Sequence, residues 1–171
     1  MADRREDSPA VRPEAQVADA AASPDGARGG AHDPLSHLVG YAALRVHLVL
    51  RECFEQEIGG PLDLRPVEFT LLSRLASHGA LTAKALAEVL AVRAPNLTPV
   101  LERLSERGLI QRERNRDDRR SVLIRLSPAG RRLQKRAMEV SHTMEREALG
   151  GLAPAERERF LQLAWRIVAP V

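Results

Sequence analysis

From Leu35 almost to its last residue the chain spaces its apolar residues like helices, with one interruption. Between Leu109 and Leu126 the period shortens to two. Leu109–Arg114 reads as a strand and Asn115–Arg120 as a polar turn. Ser121–Leu126 reads as the return strand, where Val122, Ile124 and Leu126 alternate with Leu123 and Arg125. A single hairpin among helices makes the fold mainly α with a small β-hairpin. Upstream, Leu35, Leu38, Val39, Ala42, Val46, Val49 and Cys53 form one helical stripe, and Tyr41, Leu44, Leu48 and Phe54 form a second. A helix with two apolar stripes has two sides to bury. Gly59, Gly60 and Pro61 are read as its end. Pro66 opens the next helix, and His78-Gly79 closes it. Thr82 is the N-cap of a third helix reaching Leu90. After a break at Ala91–Ala94 a fourth helix runs to about Arg107, stopped by Gly108. Beyond the hairpin, Ser127-Pro128 starts a long helix to about Ala148, Gly150-Gly151 breaks it, and Pro154 opens a last helix. In that helix Trp165 reads as a core anchor.

This order divides the 171 residues into four parts. Residues 1–34 hold four prolines, three glycines and almost no large apolar side chain, and read as a disordered tail. Residues 35–62 form an N-terminal dimerisation helix, because a chain this small offers its second stripe to another subunit. Residues 63–127, three helices and a hairpin, make a winged helix-turn-helix. Residues 128–171 supply the C-terminal helices that flank it, dimerisation helices by the family resemblance given below.

The net charge of +3 conceals its distribution. Residues 93–136 carry thirteen basic and five acidic groups, while each of the other three stretches is slightly acidic. Such a concentration suits a polyanion. Aromatics at 3% are too few to stack single-stranded nucleic acid. Apolar runs long enough to span a membrane are missing, as are a secretory leader pattern and a Gly-rich phosphate cradle. The expected address is the cytoplasm.

A helix-turn-helix sets the start of its second helix against base edges in the major groove. Here the second helix offers Arg93, Asn96, Thr98 and Arg103. Asn pairs with adenine and Arg with guanine, and Thr98 suits a phosphate or a thymine methyl. Asn96 has an equal alternative as the helix cap, which would put Pro99 in the first turn. The hairpin tip, with Arg114, Arg116, Asp118, Arg119, Arg120 and Ser121, places four arginines within seven residues, an electrostatic probe for phosphates or a narrow minor groove. Asp118 is placed to pin Arg120 in a bidentate pair.

At this point the sequence resembles the MarR family of bacterial regulators. The resemblance rests on Leu64-Arg65-Pro66-Val67-Glu68-Phe69-Thr70-Leu71-Leu72, on Leu86-Ala87 with Leu90, and on Leu101-x-Arg103-Leu104-x-x-Arg107-Gly108-Leu109-Ile110. Its most specific part is the run from Asp118-Arg119-Arg120-Ser121 through Leu126-Ser127 to Gly130. It covers about residues 35–169. It implies a homodimer joined by the first and last helices, sitting on a palindromic double-stranded DNA site and repressing nearby genes. It also implies release by a small phenolic or carboxylic effector. Arg120 would then be the minor-groove arginine and Asp118 its support. Thr98-Pro99-Val100-Leu101 resembles the hydroperoxide-sensing branch, whose sensing cysteine lies near the start of the first helix. Cys53 comes about three turns later.

Competing uses of these residues are a winged-helix module that binds protein rather than DNA, and a redox regulator acting through Cys53. The lone cysteine reads first as a packed thiol. No cofactor is implied. The five histidines show no metal-ligand spacing, so no metal site is expected. His47, Arg51 and His142 are the candidates for lining an effector pocket. No nucleophile–base pair or paired carboxylates at a Gly-rich turn appear, so no catalytic residue is assigned and the chain is not read as an enzyme.

Overall fold

The computed structural model describes residues 33–114 and 121–168. The chain divides into two compact units, Met1–Tyr41 and Ala42–Val171. Within the described part of the first unit, Asp33 forms a turn. Its Oδ1 accepts from the Leu35 N–H at 2.9 Å and its carbonyl from Ser36 at 2.9 Å. Helix α1 (Val39–Phe54) therefore starts at Val39 rather than Leu35, because this side chain-to-backbone turn competes with helical bonding.

Gly59-Gly60-Pro61 does not end the helix as expected. A π-helical stretch, Glu55–Gly59, continues α1 and leads into the short α2 (Gly60–Leu62). Both glycines keep right-handed helical angles. Pro61 lacks only an N–H that a helix start leaves unpaired anyway. The helix stops at Asp63, which is left-handed at φ 49°.

Helix α3 (Pro66–His78) begins at Pro66, and the Glu68 carboxylate accepts the Arg65 N–H at 2.9 Å. Leu71, Leu72 and Leu75 are buried. Gly79 ends the helix at φ 80°, where a side chain would be strained. Next comes strand β1 (Ala80–Thr82), which the sequence pattern did not announce. Thr82 then caps α4 (Ala83–Val89), accepting from the Ala85 N–H at 3.2 Å.

Helix α4 ends in a reverse turn: the N–H of Val92 donates to Ala87 and that of Ala91 to Glu88. Ala91 holds the left-handed position at φ 51° that usually falls to glycine. Ala91→Gly is therefore expected to stabilise the fold by about 1 kcal/mol, measured as a higher urea midpoint at unchanged slope. A lower midpoint would contradict this. Helix α5 (Ala94–Glu106) buries Leu97, Val100, Leu101 and Leu104 and ends in the same motif, with Gly108 at φ 65°.

Strands β2 (Ile110–Arg114) and β3 (Val122–Leu126) pair antiparallel from Ile110 opposite Leu126 to Arg114 opposite Val122. β3 also pairs with β1, giving the sheet order β1-β3-β2. The expected hairpin is thus two strands of three, and the fold is a winged helix. Helix α6 (Pro128–Ala148) is capped by Ser127, whose hydroxyl accepts from Gly130 N–H at 2.9 Å and donates to the Gly108 carbonyl at 2.7 Å.

Helix α7 (Pro154–Val168) has no buried residue in this chain. Trp165, expected as a core anchor, is 63% exposed, because no other described part of the chain covers its apolar face. Phe160, Leu161, Leu163 and Ile167 are also exposed, as are Leu44, Leu48 and Val49 on α1.

Candidate nucleic-acid interface

Helices α4 and α5 form the helix-turn-helix. The apolar face of α5 lies in the core, so its other face is open at the N-terminal end. Arg93 occupies the cap position with extended backbone and no capping side chain, and Pro95 falls in the first turn. Arg93, Asn96 and Thr98 are exposed. Asn96 is the third helical residue; its N–H donates to the Arg93 carbonyl at 3.0 Å. It is not the cap, which removes that alternative. Pro99 consequently lies inside the helix rather than in its first turn. The Thr98 hydroxyl donates to the Ala94 carbonyl at 3.4 Å.

Arg103 departs from its expected place on the open face. Its guanidinium turns back to the Glu68 carboxylate and to Asp63 Oδ1, the latter at 2.5 Å. Glu68 is fully buried, so an unpaired carboxylate there would be costly, and this outweighs leaving Arg103 in solvent. The hydrogen bond that Arg103 donates to Glu68 is the main cause raising the Arg103 pKa further above its ordinary value, so the guanidinium stays charged. Arg107 joins it, donating to the carbonyls of Asp63 at 2.5 Å and Leu62 at 3.3 Å. Sequence reasoning missed Asp63 and Glu68. The available signal was an acid within the apolar repeat Val67, Leu71, Leu72.

Arg114 ends β2 exposed, and Ser121 sits partly buried just ahead of β3. Arg116, Asp118, Arg119 and Arg120 lie outside the described residues. Arg125 pairs with Glu113 at 3.0 Å. No ion pair joins Arg93, Arg112 or Arg114 to another described residue.

A second concave region lies between α1, α3 and α6. It brings together His47, Arg51 and His142 around a cavity of about 760 Å³, with Phe54, Phe69 and Met138 supplying apolar wall. The Ser73 hydroxyl also lines it and is buried without a partner. Among the described residues no three of His, Cys, Asp or Glu converge as metal ligands. None of the described helices is long and apolar enough to cross a membrane.

Residues 64–122, from the α2–α3 corner to the return strand of the wing, match the MarR family model. The chain belongs to the MarR family. Among its relatives is the organic hydroperoxide resistance transcriptional regulator of Bacillus subtilis, 36% identical over 83 residues, which is 48% of this chain and 56% of that protein. The match thus spans little more than half of that curated relative. Among solved MarR-like structures, a probable transcriptional regulator from Pseudomonas aeruginosa is 32% identical with a TM-score of 0.72, over 78% of this chain and 98% of that one. Bordetella bronchiseptica BpsR, whose DNA binding is regulated by 6-hydroxynicotinic acid, is 28% identical with a TM-score of 0.73, over 80% of this chain and 96% of its own. The MarR assignment agrees with the sequence motifs and with the winged helix, including the third strand that the motifs did not reveal.

Proposed function

We propose that this MarR-family chain is a homodimeric repressor that binds a palindromic double-stranded DNA site and releases it when a small aromatic acid binds. The observation that carries the reading is the open N-terminal half of α5. Arg93, Asn96 and Thr98 stand exposed on a helix whose opposite face is locked into the core, and the arginine-rich wing follows directly. Those groups match base edges and phosphates in kind and spacing. The exposed apolar faces of α1 and α7 support a dimer, since a monomer leaving Leu48, Phe160, Leu161 and Trp165 in water would carry an unusual apolar surface. The cavity beside His47, Arg51 and His142 supports an acidic ligand, with apolar wall for a ring and the guanidiniums of Arg51 and Arg74 for a carboxylate. Arg116, Arg119, Arg120 and Asp118 are assigned to the wing contact, with Arg114 and Ser121 at its base.

The test is a fluorescence-anisotropy titration of the protein against its own upstream intergenic DNA, at several salt concentrations, with a scrambled duplex as control. Tight, salt-dependent binding to a palindrome well above the control is expected, and aromatic acids added to the complex should release it. Arg93→Ala should weaken operator binding by about 1–3 kcal/mol and lower the salt slope by about one. Failure to bind either duplex at low salt would remove the reading.

A further inference from the structure

Two of the arginines in the basic stretch, both partly buried, are engaged by acids of the protein itself. Arg103 lies in the last turn of α5, and Arg107, one helical turn on, is its C-cap. Both reach the corner where α2 ends and α3 begins. Arg103 Nη1 holds both oxygens of Glu68, while its Nη2 holds Asp63 Oδ1 at 2.5 Å. Arg107 takes the Asp63 carbonyl at 2.5 Å and lies 3.5 Å from Asp63 Oδ2. The left-handed backbone of Asp63 lets its carbonyl and its carboxylate serve the same two guanidiniums. Two cations and two anions balance, so the cluster adds no attraction for a polyanion.

Apolar packing of Leu97, Leu101 and Leu104 holds α5 in the core, but apolar contact is non-directional. A guanidinium whose two terminal nitrogens bind two different carboxylates, as Arg103 does, is directional. A slip of α5 by one residue would rotate its reading face by about 100°. We infer that Asp63 and Glu68, through Arg103 and Arg107, act as positioning residues that set the aim of the α5 reading face on DNA, without touching DNA themselves.

The inference rests on the DNA-binding reading above, and Asp63→Asn tests it by sign. Removing an acid from a protein that binds a polyanion tightens binding if charge alone matters. Loss of aim weakens it. The Asp63 side chain is 71% exposed and asparagine accepts left-handed backbone as readily, so the fold should survive, which a thermal melt checks. Full-length wild type and variant are titrated against the operator duplex and the scrambled duplex. We expect operator affinity to fall about tenfold, as for one misaligned base contact, with scrambled-duplex affinity unchanged or higher and the operator salt slope unchanged. Arg103→Lys, which keeps the charge and loses the fork, should weaken operator binding in the same way. Operator affinity of Asp63→Asn equal to or tighter than wild type overturns the inference while leaving DNA binding intact. Wild type binding neither duplex overturns the DNA reading itself, and the inference with it.

Discussion

Gly130→Ala should destabilise the protein by about 3 kcal/mol, although helix propensity alone favours alanine there by about 1 kcal/mol. Gly130 lies in the first turn of α6, in ordinary helical conformation, so its own backbone does not demand glycine. The demand comes from across the contact. A Cβ at Gly130 would stand 2.0 Å from the Leu109 carbonyl oxygen and 3.0 Å from its carbon. That carbonyl cannot retreat cheaply. It accepts the Ser127 N–H at 3.0 Å, the Leu109 N–H is bound to Leu104, and Gly108 is tied to the Ser127 hydroxyl. Relief requires α6 to lift from the end of α5, breaking a cap and a helix stop together. Urea denaturation reads the loss as a lower midpoint. An alanine variant as stable as wild type would mean that α6 does not pack this closely.

Arg103→Met should cost a comparable amount, about 3 kcal/mol, for an electrostatic reason. Glu68 is 0% exposed, and without Arg103 its nearest cation is Arg107 at 4.0 Å, leaving the carboxylate with the Arg65 N–H. Breaking a buried pair by removing one partner is worse than never having it. The double variant Arg103→Met with Glu68→Leu should therefore recover most of the stability. It should fall short of wild type by about 1 kcal/mol, the worth of the lost Glu68 bond at the start of α3. Equal losses in the single and double variants would show that the stranded charge is not the cause.

What the sequence revealed and what it hid divide along the reach of the interactions. Pro66, Thr82, Gly108 and Ser127 mark element boundaries through bonds to residues three or four away, so their signals survive in the sequence. The strand at Ala80–Thr82 does not, because three residues form a strand only when β3 offers an edge some forty positions later. Arg103 read as a surface cation because the carboxylate that claims it lies 35 residues upstream. Trp165 shows a different gap. The apolar spacing of α7 says that a face is to be covered and is silent about what covers it. His47, Arg51 and His142 were candidates in the sequence for lining a pocket, and the fold gathers them at one cavity. The wing arginines remain a statement about sequence.

The wide turn at Glu55–Gly59 has a practical meaning for anyone recombining this protein with its relatives. There the backbone bond reaches back five residues, from Gly60 to Glu55. A turn of that kind stores one residue more than an α-helix of the same rise. It acts as a vernier between the first helix and the corner at Asp63. One residue added or lost within α1 would turn Asp63 by about 100° away from its two arginines. A chimaera that takes its first helix from another regulator must therefore be spliced upstream of Glu55. Its residues should be counted to the wide turn and not to the first glycine.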